Sequence, residues 1–150
     1  MASLPSLALV SLLAVLGATQ TVRATEAVTS AAMLQQAIVS SDTISRETGF
    51  IHRLFRPENP SGRTIIMLHG SGGDETTLAK MASSIAPDAT LIGIRGRVVQ
   101  NGVKRWYKRI TATEFDQQDV RAEAAAFVEF LHAMARETGI DLGSATFLGY

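Results

Sequence analysis

The string His69-Gly70-Ser71-Gly72-Gly73-Asp74 concentrates more chemistry than any other part of the chain. Its glycines let the backbone turn sharply and come close to a bound group, and free N–H groups at the start of a helix favour negative charge. Two chemistries use such a loop. One is phosphate binding, but Glu75 stands where G-x-G-x-x-G needs its third glycine, and no Gly-Lys-Ser/Thr follows. The other is an oxyanion hole, in which a backbone N–H stabilises the charge that develops on a tetrahedral intermediate. A tight strand-to-helix turn without chemistry fits the same residues. His69, directly after a strand, reads as a hydrogen-bonded structural residue and not as a base. A second string, Phe147-Leu148-Gly149-Tyr150, is an apolar run ending in Gly-x. It reads as a strand feeding a nucleophile elbow, G-x-S-x-G, with Gly149 and Tyr150 as its first two letters and the serine expected immediately after Tyr150.

These strings can act together only if strands and helices bring them to one place. Residues 50–55 read as a strand, closed by turn residues Pro57, Asn59, Pro60, Ser61 and Gly62. Thr64–Leu68 is an unbroken β-branched and aliphatic run, as in a strand buried on both faces. Asp74 is the expected N-cap of a helix whose Leu78, Met81, Ala82 and Ile85 share one face until Pro87 ends it. Residues 89–94 are a third strand, and 95–115 form a long connection without a clear period. From Asp116 the chain turns helical, with Val120, Ala124, Phe127, Leu131 and Met134 on one stripe and Gly139 as the stop. Residues 145–148 are a fourth strand. This alternation implies an α/β fold with a mostly parallel sheet, right-handed crossovers and helices on both faces. Its sites lie at the carboxyl ends of strands, which is where His69–Asp74 falls.

Composition narrows the classes. The 150 residues are 46% hydrophobic and 19% charged, which suits one globular domain without repeats or low-complexity tracts. Fourteen basic and 14 acidic residues balance, so no global field draws the molecule to nucleic acid or membrane. With no cysteine there is no disulfide framework, thiolate nucleophile or cysteine-based zinc site. Residues 7–16 are an apolar run too short to span a bilayer, and Val22-Arg23-Ala24 resembles a cleavage site. Residues 1–24 are therefore expected to be a signal peptide of a periplasmic or secreted protein, although no Lys or Arg precedes Arg23; a mis-called start would make it cytoplasmic. Residues 25–47 follow as an N-terminal extension, and 48–150 as part of the α/β domain.

Three motifs in order carry a family resemblance. Ile65-Ile66-Met67-Leu68-His69-Gly70-Ser71-Gly72-Gly73-Asp74-Glu75 resembles the LHGxGGDE signature of the carboxylesterase and phospholipase branch of the α/β-hydrolases, related to dienelactone hydrolases and acyl-protein thioesterases. The segment 95–102 followed by Arg105-Trp106-Tyr107-Lys108-Arg109 resembles the family's RGxVxxNG and aromatic-basic segment. Residues 147–150 resemble its lead into GYSNGA. The likeness runs from about residue 50 to 150 and is nearest to bacterial members linked to hydroquinone or catechol-type compounds. It implies the N-terminal half of that fold, a small-molecule ester substrate (thioester or lactone included), an acyl-enzyme route, and neither cofactor nor metal. Carried over residue by residue, it assigns the first oxyanion N–H to the backbone of Ser71, supported by His69, Gly70, Gly72 and Gly73, with Gly149 and Tyr150 in the elbow. Trp106 and Tyr107 become candidates for the substrate pocket, or for plain loop packing.

The family needs Ser, then Asp, then His in chain order beyond Gly149, and residues 1–150 contain none of these at those positions. His52 and His69 precede the elbow, and His132 lies beside the helical stripe, so none substitutes. The chain as written is expected to be inactive by itself, and residues 25–150 alone to be insoluble or molten. A non-catalytic rival uses the loop 95–109, where Arg95, Arg97, Lys104, Arg105, Lys108 and Arg109 surround Trp106 and Tyr107 as in sites for nucleic acid or another polyanion. A solvated basic loop, or one guiding an anionic substrate, is the simpler account at zero net charge, so nucleic acid is not the expected partner.

Overall fold

The computed structural model describes residues 37–38 and 42–150, so the signal-peptide reading of 1–24 lies outside the described residues. In chain order the elements are β1 (Ala37–Ile38), α1 (Asp42–Thr48), β2 (Ile51–Phe55), β3 (Thr64–Leu68), α2 (Ala79–Ile85), β4 (Thr90–Arg95), β5 (Val98–Gln100), β6 (Val103–Arg105), α3 (Gln117–Thr138) and β7 (Thr146–Gly149). One five-stranded sheet has the order β1-β2-β4-β3-β7, and β5 and β6 form a separate hairpin. β3 lies parallel to both β4 and β7, which is the parallel unit the alternating pattern predicts. β2 runs antiparallel to β4, and β1 antiparallel to β2. Two elements before residue 48, β1 and α1, therefore belong to the sheet and its cover.

The strands alternate their side chains between two cores. On one face Phe55, Met67 and Leu91 pack with Leu78, Ala79 and Ala82. On the other Phe50, Ile66, Ile92 and Ile94 pack with Ile44 of α1 and with Phe130 and Met134 of α3. Helices thus cover both faces, as expected of the α/β class.

Local signals located the helices better than they oriented them. α2 begins four residues later than an Asp74 cap predicts, at Ala79, with no side-chain cap on Leu78. Asp74 closes a turn instead: its Oδ1 accepts from the Thr76 N–H at 3.0 Å and the Thr76 hydroxyl at 2.7 Å. The Thr76 hydrogen bond is the main cause that brings the Asp74 carboxyl down to about 2, with Lys104 adding to it. Met81 and Ile85 do not face the core; they are exposed, while the alanines at 79, 82 and 86 are buried and let the helix lie close to the sheet. In α3 the caps hold: Asp116 accepts from the N–H groups of Gln118 and Asp119, and Gly139 closes the helix at φ 72°. Its core face keeps Phe127, Leu131 and Met134 of the predicted stripe, adds the fully buried Phe130 and leaves Ala124 exposed. The cause is aromatic packing, since Phe130 lies 5.2 Å from Phe50 and 6.2 Å from Phe127 between ring centroids.

His52 is part of this second core. It is 2% exposed, its ring stands 5.6 Å from that of Phe130, and its Nδ1 has no hydrogen-bond partner among the described residues. Burial lowers its pKa below 6.5, against a smaller opposing pull from Glu137. The unfolded chain therefore binds the proton more readily than the folded one, so stability is full above pH 6.5 and falls as the pH drops through 6.5 toward the lower folded value. In the whole protein, the melting temperature is expected to fall between about pH 6.5 and 5, within the range where histidine titrates. His52→Gln should flatten that slope, and an unchanged slope would exclude His52 as its source.

Candidate active site

β3 and β7 are paired so that Leu68 stands opposite Gly149. The loop after β3 and the residues closing β7 therefore leave the sheet side by side, although 80 positions separate Gly149 from His69 in sequence (149 − 69). The Tyr150 N–H donates to the Leu68 carbonyl at 3.3 Å. A Cβ at Gly70 would meet the Tyr150 ring at 2.7 Å, so a side chain there would turn the exposed ring aside from the loop.

The loop is held from several directions. His69 is 2% exposed and uses both ring nitrogens: Nε2 accepts from the Gly96 N–H at 3.0 Å, leaving Nδ1 to carry the proton and donate to the Gly70 carbonyl at 2.6 Å. A histidine committed at both nitrogens is a strut, as its position after a strand suggested. Gly73 donates back to the Gly70 carbonyl, and Gly72 donates to the carbonyl of Lys104 in β6. The indole N–H of Trp106 donates to the His69 carbonyl at 2.7 Å, with the two rings 5.0 Å apart. Ser71 is exposed, and its N–H has no hydrogen-bond partner among the described residues. Its hydroxyl, which the sequence left without a role, accepts from Arg105 Nη1 at 2.7 Å.

Behind the loop, Glu75 is 5% exposed and held by a two-point ion pair, with Arg95 Nε on Oε2 and Nη2 on Oε1 at 2.7 Å. Burial alone would raise the Glu75 carboxyl, but the hydrogen bonds and charge of Arg95 outweigh it and hold the pKa below the ordinary value. This pair ties the start of α2's approach to the end of β4. Sequence reasoning missed it because the partners lie 20 positions apart and Arg95 was counted with the basic loop.

That basic loop is not a uniform cationic surface. Residues 98–105, expected as an irregular connection, form the β5–β6 hairpin, which turns on Asn101 at φ 54° and Gly102 at φ 75°. Arg95 pairs with Glu75, Arg97 with Glu123, Lys104 with Asp74 at 3.6 Å and Lys108 with Asp119 at 3.2 Å. Four of the six cations offered to a polyanion are thus matched inside the molecule, which weakens the nucleic-acid reading. Of these six, only Arg105 and Arg109 lack a carboxylate partner among the described residues.

A cleft of about 130 Å³ opens where these parts meet, lined by His69, Gly70, Ser71, Arg105, Trp106, Tyr107, Arg109 and Tyr150. Trp106 and Tyr107 both border it, and both also pack inward: Trp106 against Phe50 and Phe127, Tyr107 against Phe115. Among the described residues no group of three or more His, Asp or Glu could hold a metal ion, and no helix is long and apolar enough to cross a membrane. His52 and His132 take no part in the cleft, being respectively buried in the second core and exposed on α3.

No family model matches the chain. A carboxylesterase from Mesorhizobium loti superposes with a TM-score of 0.67 at 42% identity, covering 77% of this chain and 53% of that one. The Bacillus cereus carboxylesterase gives 0.66 at 27% identity, covering 72% and 51%. In sequence the chain is 33% identical over 90 residues to MhqD of Bacillus subtilis (strain 168), which carries the name of a hydrolase; the match covers 60% of this chain and 45% of that protein. The chain spans about half the length of the relatives it matches.

Proposed function

We propose that this chain, which has the α/β-hydrolase fold of the carboxylesterase neighbours, supplies the oxyanion-stabilising half of a serine hydrolase that acts on carboxylic esters. The observation that carries the reading is the uncommitted Ser71 N–H on a cleft shared with Tyr150, at the adjacent ends of two parallel strands. A serine following Tyr150 would attack the ester carbonyl from beside that N–H. The carbonyl oxygen gains negative charge as the tetrahedral intermediate forms, and Ser71 with the N–H of the residue after the serine would hold it. Collapse expels the alcohol and leaves an acyl-enzyme that water then hydrolyses, with an Asp and a His beyond Tyr150 as orienting group and base. Thioesters and lactones place the same oxygen in the same hole. His69 takes no proton in this scheme, because both of its nitrogens serve the loop.

The test is labelling by a fluorophosphonate in the polypeptide carried past Tyr150 to the length of its relatives. One label per molecule on the serine next to Tyr150, together with p-nitrophenyl acetate hydrolysis that disappears when this serine becomes alanine, is the expected outcome. A folded protein that resists labelling and leaves the ester intact would overturn the reading. Residues 1–150 alone should not turn over ester at all, which a direct assay of that polypeptide checks.

A further inference from the structure

We propose that Arg105 and Arg109 form an anion subsite in the cleft that selects esters carrying a second, free carboxylate; this rests on the ester-hydrolase reading of the same cleft. The argument is one of charge and of hydrogen-bond capacity. Of the eight residues lining the cleft two are arginines and none is acidic. Their four cationic neighbours in the segment 95–109 are matched by Glu75, Glu123, Asp74 and Asp119, so the surplus positive charge of this region collects at the cleft.

Arg105 is placed for a planar anion. Its Nη1 donates to the Ser71 hydroxyl, which fixes the guanidinium beside the proposed oxyanion donor. Its Nε is buried and has no hydrogen-bond partner among the described residues. A buried donor without an acceptor is costly, and native structures seldom leave one so. With Nη1 on Ser71 and Nε shielded, Nη2 is the donor left to meet an anion, and it has no hydrogen-bond partner among the described residues. A carboxylate meets Nη2 with a charge-assisted hydrogen bond, and a small turn of the guanidinium would bring Nε onto its second oxygen. Arg109 lies over the Phe115 ring at 5.4 Å and donates to the Ala112 carbonyl at 3.4 Å, a long contact that leaves its charge unneutralised. Because Arg105 is bonded to Ser71 itself, a carboxylate on it and an ester carbonyl at Ser71 lie close together, so the acid is a short one. The substrate class is therefore a monoester of a short dicarboxylic acid, its free carboxylate on Arg105 and Arg109 and its ester carbonyl at Ser71.

The experiment compares mono-p-nitrophenyl glutarate with its uncharged methyl ester in the whole enzyme. The anionic ester is expected to have the higher kcat/KM by ~10-fold or more, and the preference to shrink as salt is raised. Arg105→Gln should lower the anionic-to-neutral ratio by about 10- to 100-fold, the scale of a lost charge-assisted hydrogen bond, and Arg109→Gln by less. Equal kcat/KM for the two esters, or a ratio unmoved in both variants, overturns the subsite while leaving ester hydrolysis standing. Calorimetric binding of glutarate supplies a readout independent of turnover. Arg105-dependent binding by a protein that hydrolyses neither ester would keep the subsite and refute the hydrolase reading; no glutarate binding refutes the subsite. Inorganic phosphate, added as a competitor, separates the two sources of anion: displacement of glutarate at lower concentrations of phosphate than of succinate would overturn the carboxylate assignment in favour of a phosphoryl group.

Discussion

Alanine at position 93 is expected to destabilise the protein by more than about 3 kcal/mol, beyond the usual cost of overpacking, and to dislodge the oxyanion loop. Gly93 lies in β4, opposite Met67 on one side and Arg53 on the other. A Cβ built there would stand 1.6 Å from the Glu75 carbonyl oxygen and 2.6 Å from the carbonyl carbon. Both are backbone atoms, so no side chain can rotate away. Nor can either partner move cheaply: β4 is hydrogen-bonded between β2 and β3, and the turn carrying Glu75 is held by Asp74 and by the grip of Arg95. Gly102→Ala is the contrast. Nothing lies within 4 Å of its added Cβ, and only its φ of +75° opposes a side chain, so about 1 kcal/mol is expected. Denaturant midpoints of the two variants in the whole protein measure the difference. A wild-type midpoint for Gly93→Ala would refute the packing of the Glu75 backbone on β4.

Replacing the amide of residue 71 by an ester, through semisynthesis of the complete enzyme, is expected to lower kcat by about 10²- to 10³-fold, the effect of removing one oxyanion donor. The exchange deletes the Ser71 N–H and keeps the side chain. Ser71→Ala does the reverse: it keeps the N–H and removes the hydroxyl that Arg105 holds. With a neutral ester the alanine variant should lose only a few fold in kcat, because the hydroxyl acts on the guanidinium and not on the reacting carbonyl. With the glutarate monoester it should lose more, through KM, as Arg105 is released. A loss of ~100-fold for Ser71→Ala on neutral ester would show that the hydroxyl itself takes part and would sink the backbone-only role.

Much of the site's material was legible locally. Thr64–Leu68 has the limits predicted, since an unbroken β-branched run has few alternatives to a buried strand. Asp116 and Gly139 mark the two ends of α3 because capping is a contest settled within one turn of chain. The structural role of His69 follows from its place after a strand, and both its nitrogens are occupied accordingly. The hairpin at 98–105 was missed although Asn101-Gly102 is a strong turn pair, because strands of three residues are too short to show a period.

What sequence alone determined is the chemistry on offer: a glycine-rich loop that can present backbone donors, a strand that leads toward an elbow, a cluster of cations around two aromatics, and the strands and helices that bear them. Those properties depend on residue type and short spacing. Only the tertiary structure decided that Leu68 and Gly149 stand in register, that Ser71 is tied to Arg105 across the hairpin, and which cations are neutralised and which face the cleft. Leu68 and Gly149, Ser71 and Arg105, and Glu75 and Arg95 are each 20 or more positions apart, and even the nearest pair, Lys108 with Asp119, is separated by 11. Such contacts depend on how sheet register and helix packing close the chain, which no window of local sequence contains.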